Sequence, residues 1–214
     1  MTEKTSMKKS VKQEEYLNAP CKASSLPFWK TEQIEIPSNI DIYREDEFDA
    51  ASCVGRDEPY FKLMHNLLQV PDTVLQGEYV LSSANLEEFA SHIGECYTEE
   101  GVTVDELKAY TERAVYDSSL WIAVRDRQIG RIVASGIAEV DSRIGEGVLE
   151  WIQVSPDYRR RGLGRFVVCE LLKRLSDKAK FVTVSGKVNS AGNPLSLYKS
   201  CGFGHEVIWH IVNE

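Results

Sequence analysis

The stretch VSPDYRRRGLGRFVVCELLKRL, residues 154–175, sets three arginines beside a Gly-x-Gly and an apolar-striped segment. Val154 closes an apolar run, and Pro156 lacks the N–H that a further central strand residue needs. Gly162 and Gly164 allow a tight turn with no Cβ in the way. Val168, Leu171, Leu172 and Leu175 then recur at helical spacing, with Lys173 and Arg174 off the stripe. The unpaired N–H groups of a helix start, with the positive end of its dipole, attract an anion. Arg159, Arg160, Arg161 and Arg165 thicken the positive charge around it. The ligand predicted by this stretch carries phosphate.

Glu150, in the apolar strand pattern GVLEWIQV, is the second chemical candidate. Strand alternation would put it on the face of Val148, Ile152 and Val154, with Trp151 pointing the other way. A carboxylate among apolar neighbours is costly without a purpose or a partner. Burial would raise its pKa toward the range of a base that deprotonates an amine, directly or through water. A structural, hydrogen-bonded or salt-bridged glutamate is the competing reading. Glu139 and Glu146 rank lower, being nearer turns.

These residues need a scaffold, and the pattern of the chain supplies one. Residues 79–82 read as a strand, and ANLEEFASHIGECY and VTVDELKAYTERAVY read as two helices, the second capped by Thr103. LWIAVRD, QIGRIVASGIAEV and GEGVLEWIQV are three strands in quick succession. The arginine loop and a helix over 162–176 follow, then a strand in FVTVSGKV, a short helix over 193–201 and a last strand in GHEVIWHIV. This order predicts an α+β fold, a mixed, mostly antiparallel central sheet with helices on both faces. Upstream, Ile34/Ile36 and Ile40/Ile42 around Pro37 and Ser38 suggest a small hairpin, whereas periodicity leaves YFKLMHNLLQV (60–70) open between helix and strand.

The order of elements, with VSPDYRRRGLG and NPLSLYKSCGF, resembles the GCN5-related N-acetyltransferase (GNAT) superfamily over roughly residues 79–212. That resemblance implies the acyl-CoA N-acyltransferase fold, with the pyrophosphate of acetyl-CoA on backbone N–H groups of Arg159, Arg160, Arg161, Gly162, Leu163 and Gly164. It implies that backbone groups of Gln153 and Val154 pair with the pantetheine arm, where an N–H would stabilise the tetrahedral oxyanion. It makes Tyr198 the acid that protonates the departing thiolate, in keeping with an ordinary phenol pKa near 10. Some members place a glutamate on the strand of Glu150. The family often carries an asparagine where this chain has Ala191, so Asn193 is the substitute cofactor contact. A dinucleotide fingerprint would need a third glycine at Val167, and a P-loop would need Gly-Lys-Ser/Thr, which the chain lacks.

Composition narrows the class. The 214 residues carry a formal net charge of -8, with 43% hydrophobic and 27% charged residues. Such an acidic body argues against general nucleic-acid or anionic-membrane binding. Five cysteines without a C-x-x-C favour reduced thiols and a cytoplasmic location, and no apolar run is long enough to span a membrane. His65, His92 and His210 read as core or surface histidines, and Cys201 with His205 is too small a set for a metal. The expected layout is a flexible 1–15, an N-terminal extension over 16–78 packed on the domain, and the N-acetyltransferase domain over 79–214. The expected reaction is direct transfer of an acetyl group from acetyl-CoA to an amine acceptor, with no metal and no nucleic acid. A non-catalytic acyl-CoA-binding or regulatory module is the alternative. The extension is expected to cover the acceptor side or to form a homodimer contact.

Overall fold

The computed structural model describes residues 11–97, 101–190 and 192–213. The first ten residues and Ala191, both part of the sequence reading, lie outside them. Eight strands form one sheet in the order β1-β8-β2-β7-β6-β5-β4-β3. They are β1 (Ile40–Arg44), β2 (Arg56–His65), β3 (Tyr79–Ser82), β4 (Trp121–Asp126), β5 (Ile132–Asp141), β6 (Glu146–Val154), β7 (Phe181–Lys187) and β8 (Gly204–Asn213). Every neighbouring pair is antiparallel except β6 and β7, which run parallel. The fold is the expected α+β arrangement.

Helices cover both faces. Helix α6 (Leu163–Leu175) lays Val167, Val168, Leu171 and Leu172 on Ala134, Ala138 and Leu149, with α7 (Pro194–Ser200) beside it. On the other face, α4 (Leu86–Cys96) and α5 (Val104–Thr111) bury Phe89, Ile93 and Leu107 against Trp121 and Ile137. Both have capping boxes, Asn85 with Glu88 and Thr103 with Glu106, which satisfy backbone donors at their starts. The caps explain why these two helices begin where the sequence indicates.

The residues before 79 are part of this architecture. Helices α1 (Gln13–Asn18), α2 (Pro20–Ala23) and α3 (Phe28–Gln33) precede β1. The expected hairpin over 34–42 does not form; Ile40–Arg44 pairs with β8, and Ile34–Ile36 stay outside the sheet. Residues 56–65 are strand β2, seated between β7 and β8. Phe61, Lys62 and Leu63 are all buried, so this strand shows no in–out alternation.

A buried polar knot fixes the N-terminal segment to the sheet. Glu146 accepts hydrogen bonds from Tyr16 Oη (2.6 Å), Thr183 Oγ1 (2.6 Å) and the Phe28 N–H (3.0 Å). Lys62 Nζ donates to Tyr16 Oη (3.0 Å) and to the Ser24 and Leu26 carbonyls (2.9 and 2.8 Å). Burial pushes the Lys62 ammonium down to about 8 against the pull of Glu146, and pushes the Glu146 carboxyl above its ordinary value. A lysine and a glutamate this deep are tolerated because each is multiply bonded.

Candidate functional site

Parallel strands β6 and β7 pair only from Glu146/Phe181 to Leu149/Val184. Beyond that point β6 continues to Val154 and β7 to Lys187 without pairing to one another. The two strands are therefore unpaired from Glu150 on, toward the arginine loop. The Ser155 N–H donates to Val133 O on β5, so the backbone groups of Ile152 and Val154 turn to the opened edge. There the Ile152 carbonyl accepts from Tyr97 Oη (3.0 Å) and the Val154 carbonyl from Arg159 Nε (3.3 Å).

Glu150 is the extra residue of a β-bulge. Ile137 pairs with Trp151 and Ala138 with Leu149, leaving Glu150 between them without a register partner. The bulge shifts the alternation, which corrects the face expected for Glu150. Ile152 and Val154 lie on the α6 face with Leu149, whereas Val148, Glu150 and Trp151 belong to the α3–α5 face. On that face Glu150 Oε1 accepts from Lys30 Nζ of α3 at 2.6 Å.

Glu139, ranked below Glu150 on the sequence as nearer a turn, is buried at 2% exposure opposite Val148. Its Oε1 accepts from Arg113 Nη1 at 2.7 Å, and its Oε2 has no hydrogen-bond partner. Burial, then the charge of Glu150, push its carboxyl up to about 7, opposed by Arg113 and Lys30. The indole N–H groups of Trp29 and Trp121 on this face are likewise buried without partners. Glu146 is taken up by the N-terminal knot.

At the open end, Gly162 caps α6 with φ +80° and no side-chain hydrogen bond, so the first N–H groups of the helix have no side-chain cap. Gly164 sits where a Cβ would lie 3.2 Å from Leu197 and 3.5 Å from Val154, and so brings loop, β6 end and α7 together. Arg161, Gly162, Leu163, Arg165 and Phe166 form one wall of a cleft of about 240 Å³, with residues 72–76 opposite. Arg159 also reaches the Cys96 carbonyl (3.4 Å), Arg161 lies over the Tyr158 ring, Arg165 bonds the Ser200 carbonyl, and Arg160 is exposed. A larger concavity of about 400 Å³, lined by α4 and the β4–β5 turn, lies apart from this opening.

Tyr198 packs on Phe61 and Phe203 and is 6% exposed; burial holds its phenol above the ordinary value, with Tyr97 the next contributor. Asn193 caps α7 through a hydrogen bond from Ser196 N–H (3.3 Å), with φ +45°. The Gln153 side chain turns away from the opening, donating to Ser135 Oγ, which also contacts His92 Nδ1 (2.8 Å). Burial pushes His92 down to about 4, so it is a neutral core histidine. Among the described residues no group of three or more His, Cys, Asp or Glu is set to hold a metal, and no helix is long and apolar enough to cross a membrane.

Residues 116–205 match the family model for the acetyltransferase (GNAT) domain. No curated protein matches the chain. Among solved structures it is similar to an acetyltransferase of the GNAT family from Colwellia psychrerythraea, with a TM-score of 0.59 and 11% identity over 87% of this chain and 69% of that one. It is also similar to a GCN5-related N-acetyltransferase from Sphaerobacter thermophilus, with a TM-score of 0.58 and 19% identity over 74% of this chain. The chain spans about half (53%) of the length of that protein. At these identities the likeness is one of fold, and the match to the acetyltransferase (GNAT) domain model is confined to residues 116–205.

Proposed function

We propose that the chain is an N-acetyltransferase that moves an acetyl group from acetyl-CoA directly to an amine. The observation that carries this reading is the opening between β6 and β7, with a carboxylate at its closed end and an uncapped, arginine-flanked helix start at the other. The pyrophosphate would rest on the 159–164 loop and Arg165, and the opened edge of β6 at Ile152 and Val154 would take the pantetheine arm, the backbone of Gln153 being turned to β5 instead of to the arm as expected. Asn193 borders the same end of the site through α7. The thioester supplies an activated acyl carbon. Glu150 would receive the amine proton, directly or through water. Tyr198 would donate a proton to the departing thiolate, with burial holding it a weaker donor than the ordinary phenol on which the sequence expectation rested.

One observation favours the second reading, a non-catalytic acyl-CoA-binding module: Glu150 is already occupied by Lys30. Calorimetry with acetyl-CoA on the wild type and Gly162→Asp, with circular dichroism as the folding control, tests the common premise. Binding that weakens at least about tenfold in the variant supports the anion loop. Turnover of supplied amines, lost in Glu150→Gln and Tyr198→Phe with binding intact, separates enzyme from module.

A further inference from the structure

The group already seated on Glu150 is itself a primary amine. Lys30 comes from α3, far from β6 in the chain, yet its Nζ lies 2.6 Å from Glu150 Oε1, with the two side chains 18% and 13% exposed. Glu150 is the first residue past the last β6–β7 pair, so this amine sits at the closed end of the opening. Its surroundings are asymmetric. Glu139 and Glu150 are the acidic groups there, Lys30 and Arg113 the basic ones, and Arg113 is held by Glu139 Oε1 and stacked on Tyr110, its Cζ 3.4 Å from the ring centroid. Glu139 Oε2 is left without a hydrogen-bond partner. A buried carboxylate oxygen without a donor is costly, and a proton or a second amine hydrogen would relieve it.

Resting on the acetyltransferase reading, we propose that Lys30 is an acceptor of the chain's own site, so that the protein acetylates itself at Lys30 Nζ. The C–N bond forms between deprotonated Nζ and the acyl carbon, and the C–S bond breaks. One ammonium proton passes to Glu150 and then to solvent, and a second goes to the departing thiolate. The products are an N-acetyl-lysine and free coenzyme A. The acetylated Lys30 carries no charge, so the ion pair over Glu150 is lost and the carboxylate is released to an external amine. Lys30 thus holds the acceptor site closed until it has been modified.

The test incubates the full chain with acetyl-CoA bearing a deuterated acetyl group, followed by intact mass and peptide mapping. One label per chain at Lys30 is expected, appearing at a rate independent of protein concentration. Lys30→Arg abolishes it, and Glu150→Gln slows it roughly a hundredfold while leaving acetyl-CoA binding by calorimetry intact. Labelling of Lys30 no faster than of Lys12 or Lys22, or no faster than in heat-denatured chain, overturns the proposal as uncatalysed chemistry. Acetyl-CoA binding and turnover of a supplied amine without label at Lys30 overturn the proposal and leave the transferase reading standing. Absence of acetyl-CoA binding removes both.

Discussion

Two buried carboxylates on this sheet have different jobs because their partners differ. Glu146 accepts three hydrogen bonds and lies beside Lys62, so it anchors structure. Tyr16→Phe removes the hydroxyl that bridges Glu146 and Lys62, leaving both short of a partner; a loss of about 1–3 kcal/mol is expected, read by urea unfolding. Glu139 has one ion-pair partner and an orphaned oxygen, and its carboxyl is raised from 4.5 to about 7. A folded-state pKa above the unfolded one means the native state binds more protons in that window. Its contribution to stability is therefore fully present below about 4.5 and lost as pH rises through about 7. Glu139→Gln lacks this dependence, so its urea midpoint should gain on the wild type as pH rises across that window. A constant difference would mean that Glu139 is ionised throughout.

At the scale of elements, the tightest junction is between α6 and β5. A Cβ at Gly136 would lie 2.5 Å from Val167 Cγ1 and 2.9 Å from Leu171 Cδ1, so helix and strand approach as closely as they do because that side chain is absent. Gly136→Ala should cost about 1–3 kcal/mol in chemical denaturation by forcing the helix outward. The elements that carry the site were readable where local chemistry marks them. Gly162 and Gly164 opened α6, Thr103 opened α5, and apolar runs bounded by turn residues marked β4 to β6. Strand β2 was not, because burial on both faces erases period two, and Lys62 and Pro59 argue locally against a central strand. Pro59 is tolerated because pairing with β7 begins only at Tyr60. The bulge at Glu150 also left no mark in composition, so alternation put the glutamate on the wrong face. Its partner Lys30 lies on a separate helix, a distance that spacing along the chain cannot express.

For the molecule as a whole, the stretch before residue 79 decides whether the sheet exists. β2 is hydrogen-bonded to both β7 and β8, and β1 to β8. A chain begun after residue 66 would lose β1 and β2 and leave β7 and β8 with bare edges, so it should be recovered as aggregate rather than as a folded domain.

That same arrangement dictates an order of events during synthesis. Residues 40–65 leave the ribosome early, yet Ile40 pairs with Asn213 and Tyr60 with both Lys187 and Trp209. Strands β1 and β2 must wait, unpaired, until β7 and β8 have been translated. Contacts this distant in sequence close slowly, and an apolar strand left waiting is a surface for misassociation. Production of this protein should accordingly be sensitive to translation rate and to chaperone supply, more so than to the identity of any residue in its candidate site.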